Sequence, residues 1–250
     1  AYLDASEALE MAKVAGVDRV VQVGVDVESS RWSVQAAHDY SNVLATVALH
    51  PNEAPRIAAE QGMAALEAAW AEIAVLAQDP RVRGIGETGL DFFRTDSDGL
   101  PAQEQSFREH IRLAKQLNKA LIIHDRDAHD DVVRVLLDEG APDKVVFHCF
   151  SGDGSLAQIA AEHGWYCSFA GTVTFKNSHN IREGLVALPK ELILVETDAP
   201  FLTPTPFRGR PNASYLIPLT VRYMAEVRGM PLDSLCEAIS DNSNEVFGSF

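Results

Sequence analysis

Val82-Arg83-Gly84-Ile85-Gly86-Glu87-Thr88-Gly89-Leu90-Asp91 is the stretch on which the fold turns. A short apolar run ends in Glu87, and the glycines on either side, Gly86 and Gly89, let neighbouring backbone come close to whatever the carboxylate holds. Three other runs finish in the same manner. Ala120–Ile123 leads into His124, Lys144–Phe147 into His148, and Leu192–Val195 into Glu196-Thr197-Asp198. Packing alone is a poor reason for several strand-like runs each to close on a metal-ligand residue type.

The surrounding chain supplies the frame. Strand-like runs at Arg19–Val25 and Val43–Leu49 come first, the second leading into His50-Pro51, and another lies at Trp165–Phe169. Helical spacing is read from Asp4 towards Gly16, over Val27–Tyr40, Gln61–Ala77, Gln103–Leu117, Ala128–Leu137, Leu156–His163 and Ile181–Leu188. Ser214–Arg228 and Leu232–Ser240 close the chain as helices. Strand and helix alternate with no linker-like break, so residues 1–250 are read as one α/β domain with a parallel sheet covered by helices. The strands number about seven, whereas a closed (β/α)8 TIM barrel has eight. The expectation is such a barrel, its first strand lying upstream of Ala1. An open doubly wound sheet is the alternative; the barrel is preferred because barrel sites draw residues from the ends of many strands.

Composition narrows the class. The chain has 250 residues, 46% of them hydrophobic, enough for a sizeable core, and no apolar run of the roughly 18 residues that a membrane span needs. Three cysteines, Cys149, Cys167 and Cys236, lack metal-type spacing and suit a reducing, cytoplasmic setting better than a disulfide framework. A formal charge of −15 argues against an electrostatic grip on long duplex, while leaving room for a nucleic acid handled through bound cations.

Alternation along each run assigns faces. His124 shares a face with Ile122 and His148 with Val146, which turns Cys149 towards the helices. Asp198 shares a face with Glu196, Leu194 and Leu192, so Asp198 is expected at the rim and Glu196 one layer below, supporting the ligands. Imidazoles with carboxylates suit Zn²⁺ or Mn²⁺, and all-oxygen sites suit Mg²⁺. His50 also closes a strand and is a candidate for the pocket, whereas His38, His110, His129, His163 and His179 fall in helices or loops and read as solvated surface.

These segments carry a resemblance. Gly86–Asp91, Ile122–Ala128, His148–Gly152, Phe169–Asn177, Glu196–Pro200, Arg208–Asn212 and His50-Pro51 resemble, in order, the motifs of the TatD family of metal-dependent deoxyribonucleases, among the amidohydrolase-type barrels. The family's opening D-x-H-x-H strand has no counterpart here, in keeping with a strand expected upstream, and Ala213-Ser214 stand where Glu-Pro is usual. The resemblance implies one or two divalent cations (Mg, Mn or Zn). Glu87 would bridge them, His124 and His148 would hold one, and Asp198 would hold the other and orient or deprotonate the attacking water. It implies a DNA substrate, taken at single-stranded ends, and no membrane. Arg126, Lys176, Arg208 and Arg210 are candidates for phosphate contact, with His50 beside them, because guanidinium groups match phosphate oxygens in pairs. Phe175 and Phe201 are candidates for base stacking, although core packing is the preferred reading of both. A barrel hydrolase of a small amide, ester or lactone, and a non-catalytic metal-binding protein, are the competing functions.

Overall fold

The computed structural model describes residues 4–250. In chain order the elements are α1 (Ala5–Val14), β1 (Val20–Val23), α2 (Val27–Asp39), β2 (Val43–Val47), α3 (Glu53–Gln61), α4 (Met63–Leu76), β3 (Val82–Asp91), α5 (Leu100–Leu117), β4 (Ala120–Arg126), α6 (His129–Glu139) and β5 (Val145–Phe147). They continue with α7 (Gly154–His163), β6 (Tyr166–Phe169), α8 (His179–Ala187), β7 (Ile193–Val195), α9 (Ile217–Arg228) and α10 (Leu232–Phe247). Local chemistry sets several starts. Asp4 caps α1 by accepting the Glu7 N–H, Asp26 and Ser29 form a reciprocal capping box at α2, and Asp153 accepts the N–H groups of Ser155 and Leu156 at α7.

The chain divides into two compact units. One comprises Val21–His148 with Val246–Phe250 and contains Glu87; the other comprises residues up to Val20 with Cys149–Glu245 and contains Asp198. In the Glu87 unit, β2, β3, β4 and β5 pair in sequence, every pair parallel, with Val47 opposite Ile85, Ile85 opposite Leu121, and Ile123 opposite Phe147. Leu44, Val47, Ile85, Leu121, Ile123, Val145 and Phe147 are all buried. Near-continuous apolar runs are what a parallel sheet covered on both faces requires. In the Asp198 unit β6 pairs parallel with β7, Cys167 opposite Ile193 and Phe169 opposite Val195.

Two glycines of β3 confirm the reading of close approach. A Cβ on Gly86 would lie 2.3 Å from the Ile122 Cβ, and one on Gly89, whose φ is +135°, would lie 2.0 Å from the His124 carbonyl oxygen. Neither position admits a side chain. Between Ile85 and Thr88 the β3–β4 register shifts, β3 advancing three residues while β4 advances from Leu121 to Ile123. Such a bulge re-aims a side chain, and Glu87 lies inside it.

Some boundaries differ from expectation. The helix expected over Gln61–Ala77 is α4 alone, and a separate α3 precedes it, broken from it at Gly62 with φ +89°. Pro55 in the first turn of α3, where no amide hydrogen is needed, hides that helix from a reading by periodicity. β3 and β4 run past Glu87 and His124, to Asp91 and Arg126. β7 instead ends at Val195, so Glu196 and Asp198 lie beyond the sheet. Asp198 has a left-handed φ of +56°, and strand alternation therefore does not govern which way Asp198 faces, whereas the Glu196 N–H still bonds to the Phe169 carbonyl of β6 at 3.1 Å.

Candidate metal centre

Glu87 is the hub of the Glu87 unit. Its residue is only 7% exposed, and three imidazole nitrogens surround a single carboxylate oxygen, Oε1: His124 Nδ1 at 2.6 Å, His148 Nε2 at 3.3 Å and His50 Nε2 at 3.5 Å. Burial by itself would raise the Glu87 carboxyl. The charge of His148 and hydrogen bonds from His124, His148 and His50 outweigh it and hold the group well below the usual carboxylate range. Glu87 is thus a buried anion, a state that is costly without cationic partners.

The donors fit a divalent cation. One ligand atom each from His50, Glu87 and His124 lies within 4.8 Å of the others, and nitrogen with carboxylate oxygen is a donor set that Zn²⁺ or Mn²⁺ accepts. His50 and His124 meet edge to face with ring centroids 4.6 Å apart, and the His124 and His148 rings are 6.5 Å apart. His50, nominated for substrate, is therefore brought among the ligand candidates.

Behind His124 stands Asp91, to which the sequence reading gave no role. An imidazole that offers Nδ1 to a cation carries its proton on Nε2, and Asp91 Oδ2 is 3.3 Å from that nitrogen. At that distance the carboxylate faces the ring as an ion-pair partner rather than through an aligned hydrogen bond. Asp91 is itself held on all sides: Oδ1 accepts the N–H groups of Phe93 and Arg94, and Oδ2 accepts the Asn52 amide at 3.2 Å. Burial pushes its carboxyl up, but the Arg94 N–H, Asn52, His124 and Arg126 together bring it below the ordinary value. The adjacent Asp125 accepts from His129 Nδ1 at 2.7 Å.

His110 is a correction. Read as a solvated surface residue, it is 1% exposed, on the inner face of α5 with Gln103, Ser106, Phe107, Ile111 and Ala114. Burial drives its pKa down to about 4, opposed only by the Ser106 backbone carbonyl, so the ring is neutral. The spacing of 107, 110, 111 and 114 was the available signal, masked by the charged neighbours Arg108, Glu109 and Arg112.

The remaining nominated residues fall as follows. Arg126, at the end of β4, lies over the exposed Phe93 ring, its guanidinium carbon 3.9 Å from the centroid. In the Asp198 unit, Phe175, Phe201, Leu202, Thr203 and the Arg208–Pro211 loop line a cleft of about 460 Å³. Arg208 lies 3.9 Å over the Phe175 ring and Arg210 5.9 Å from the Phe207 centroid. Core packing was the expectation for Phe175 and Phe201; the structure overturns it, leaving Phe201 68% exposed and Phe175 half-buried beneath Arg208. A phenylalanine in a proline-rich loop has no apolar partner face to bury against. Lys176 is exposed, and Asp198 accepts the Phe201 N–H through its carbonyl.

With this geometry in view, comparison with known proteins decides the family. Residues 2–248 match the family described as TatD related DNase. The chain belongs to that family. It is 42% identical over 244 residues to the uncharacterized metal-dependent hydrolase TatD of Mycobacterium tuberculosis, covering 96% of this chain and 89% of that protein. Identity to the uncharacterized metal-dependent hydrolase YabD of Bacillus subtilis is 35%, over 98% and 92% of the two chains. Among solved structures, the TatD homologue YJJV of Escherichia coli K12 matches with a TM-score of 0.89 and 25% identity, over 99% of this chain and 93% of that one. The expected barrel-type α/β fold is the fold of this family, and the chain is a TatD-family metal-dependent hydrolase. Among the described residues, no helix is long and apolar enough to cross a membrane.

Proposed function

We propose that this hydrolase cleaves phosphodiester bonds of DNA, working from single-stranded ends. The observation that carries the reading is the set of arginines on phenylalanine faces: Arg126 on Phe93, Arg208 on Phe175 and Arg210 near Phe207. A guanidinium held flat by a ring keeps its outer face and its N–H fork for a base or a phosphate, the two features that every nucleotide offers. In a chain of charge −15, cations so arranged favour a phosphate-bearing substrate over a neutral ester. Unpaired bases can stack; bases within a duplex cannot, hence the preference for strand ends.

Glu87, His124 and His148, joined by His50, are the residues to hold a divalent cation. When bound there, the cation supplies positive charge for the phosphoryl oxygens and lowers the pKa of water. The chain's own groups do the rest. Glu87 stays ionised as the anion of the cluster, and Asp91 sets a second carboxylate against Nε2 of His124. Arg208 and Arg210 seat the nucleotide, and Lys176 adds charge at the exposed edge.

The test is release of nucleotides from a single-stranded oligonucleotide by the protein loaded with Mg²⁺, Mn²⁺ or Zn²⁺. Chelator and His124→Ala are each expected to abolish release. Undiminished release in chelator, or turnover of neutral esters with none of oligonucleotides, would overturn the reading.

A further inference from the structure

The segment that carries His50 has left the sheet, because β2 ends at Val47. Its backbone groups must find partners elsewhere, since buried N–H and C=O groups are rarely left unpaired. The His50 N–H bonds to the Val25 carbonyl at 2.8 Å, and its own carbonyl accepts from Glu53 at 2.8 Å. On either side of His50 the partner is a side chain of α5. His110 Nε2 accepts the Leu49 N–H at 3.3 Å, and Gln103 Nε2 donates to the Pro51 carbonyl at 3.1 Å.

The same two side chains also grip β3. His110 Nδ1 is 2.9 Å from Thr88 Oγ1, next to Glu87. Because Nε2 is the acceptor, Nδ1 carries the hydrogen and Thr88 receives it. Gln103 Oε1 accepts the Asp91 N–H at 2.9 Å, and its Nε2 also reaches the Asp91 carbonyl at 3.4 Å and Thr95 Oγ1 at 2.8 Å. Gln103 and His110 stand seven residues apart on one helix, two turns, so both project from its inner face. Both are fully or almost fully buried. Packing does not require polar groups there, since Phe107, Ile111 and Ala114 fill the same face with apolar ones. Burying an amide and an imidazole is unfavourable unless they are paired, and what they pair with is the backbone flanking His50 and the strand carrying Glu87 and Asp91.

We infer that Gln103 and His110 are positioning residues for the metal centre: α5 braces the His50 segment against β3 and so sets the distance between His50 and Glu87. The inference rests on the cluster holding a metal, and its test separates the two. Zn²⁺ is titrated calorimetrically into chelator-stripped protein. Gln at position 110 can place an oxygen where Nε2 accepts the Leu49 N–H, whereas Asn is too short to reach it. His110→Gln is therefore expected to bind Zn²⁺ within about threefold of the parent, and His110→Asn 10- to 100-fold more weakly, the range seen when groups that orient ligands are lost. In a His50→Ala background the Asn substitution should cost no further affinity, because the brace acts through His50. Gln103→Met, which keeps the volume and removes the amide, supplies the same reading should His110→Asn fail to fold, with about a 10-fold loss expected. Equal Zn²⁺ affinity across parent, His110→Asn and Gln103→Met would overturn the brace and leave the metal centre standing. No Zn²⁺ binding by the parent would overturn both.

Discussion

The two places where this chain gathers chemistry use ionic groups under opposite conditions. Around Glu87 the charges are buried and paired, one carboxylate oxygen meeting three imidazoles, with Asp91, itself held by Asn52, Phe93, Arg94 and Gln103, behind His124. In the cleft of the Asp198 unit the charges are exposed and paired with rings rather than with acids, Arg208 on Phe175 and Arg210 near Phe207. Buried, over-determined groups hold their geometry before any ligand arrives, which is what catalysis needs. Exposed guanidinium groups on rings retain their charge and can follow a flexible strand. On the proposed function, turnover belongs to the first cluster and affinity to the second, and that division can be broken.

The largest effect is expected at the hub. Glu87→Gln removes the anion that the imidazoles share, and activity should fall by more than about 100-fold, since loss of groups that merely orient ligands already costs 10- to 100-fold. The loss should appear in kcat and persist at saturating oligonucleotide. Asp91→Asn, one shell out, should fall within that 10- to 100-fold range. A Glu87→Gln enzyme that loses only KM would place the hub among the binding groups and reverse the assignment.

The buried half of the comparison also makes a thermodynamic prediction. His110 has a folded pKa of about 4 against an ordinary 6.5, so the unfolded chain binds the extra proton between those values. Stability from this group is complete above pH 6.5, is lost as pH falls from there to about 4, and changes no further below. The loss is roughly 3 kcal/mol. Chemical denaturation across that window should show a slope in the parent that His110→Gln flattens, and equal slopes would mean that the imidazole titrates normally.

How far the sequence foretold these regions depends on what each is made of. Glu87, His124 and His148 close or interrupt apolar strands, and a polar residue there breaks a local pattern, so it shows. The close approach at Gly86 and Gly89 was legible for the same reason. His110 and Gln103 were not, because their environment is created by α5 packing on β3, and their immediate neighbours in sequence are charged and point the other way. Asp91 carries no such signal, since its partners Asn52 and His124 come from different segments. Beyond Val195 the strand ends and Asp198 turns left-handed, so the period of two offers no face for Asp198. The exposure of Phe201 could not be read from composition, because only the fold shows that no apolar face covers that loop.

Smaller effects belong to the cleft, and they rank by geometry. Phe201→Ala should raise KM for a single-stranded oligonucleotide with kcat almost unchanged, by the factor of about 5 to 160 that loss of 1–3 kcal/mol of base stacking implies. An oligonucleotide with an abasic terminal residue should show no such difference between parent and variant. The finest test exchanges arginine for lysine, which keeps the charge and discards the flat fork. At Arg208, 3.9 Å over its ring, the contact is close and the exchange should cost several-fold in KM. At Arg210, 5.9 Å from its ring, the contact is at the outer limit of such interactions and lysine should serve within about twofold. Removing the charge altogether, with Arg210→Ala, should instead lower the salt dependence of KM, as expected of a phosphate contact. No loss from either lysine exchange would mean that charge alone recruits the strand, and the rings beneath the arginines would then be packing and nothing more.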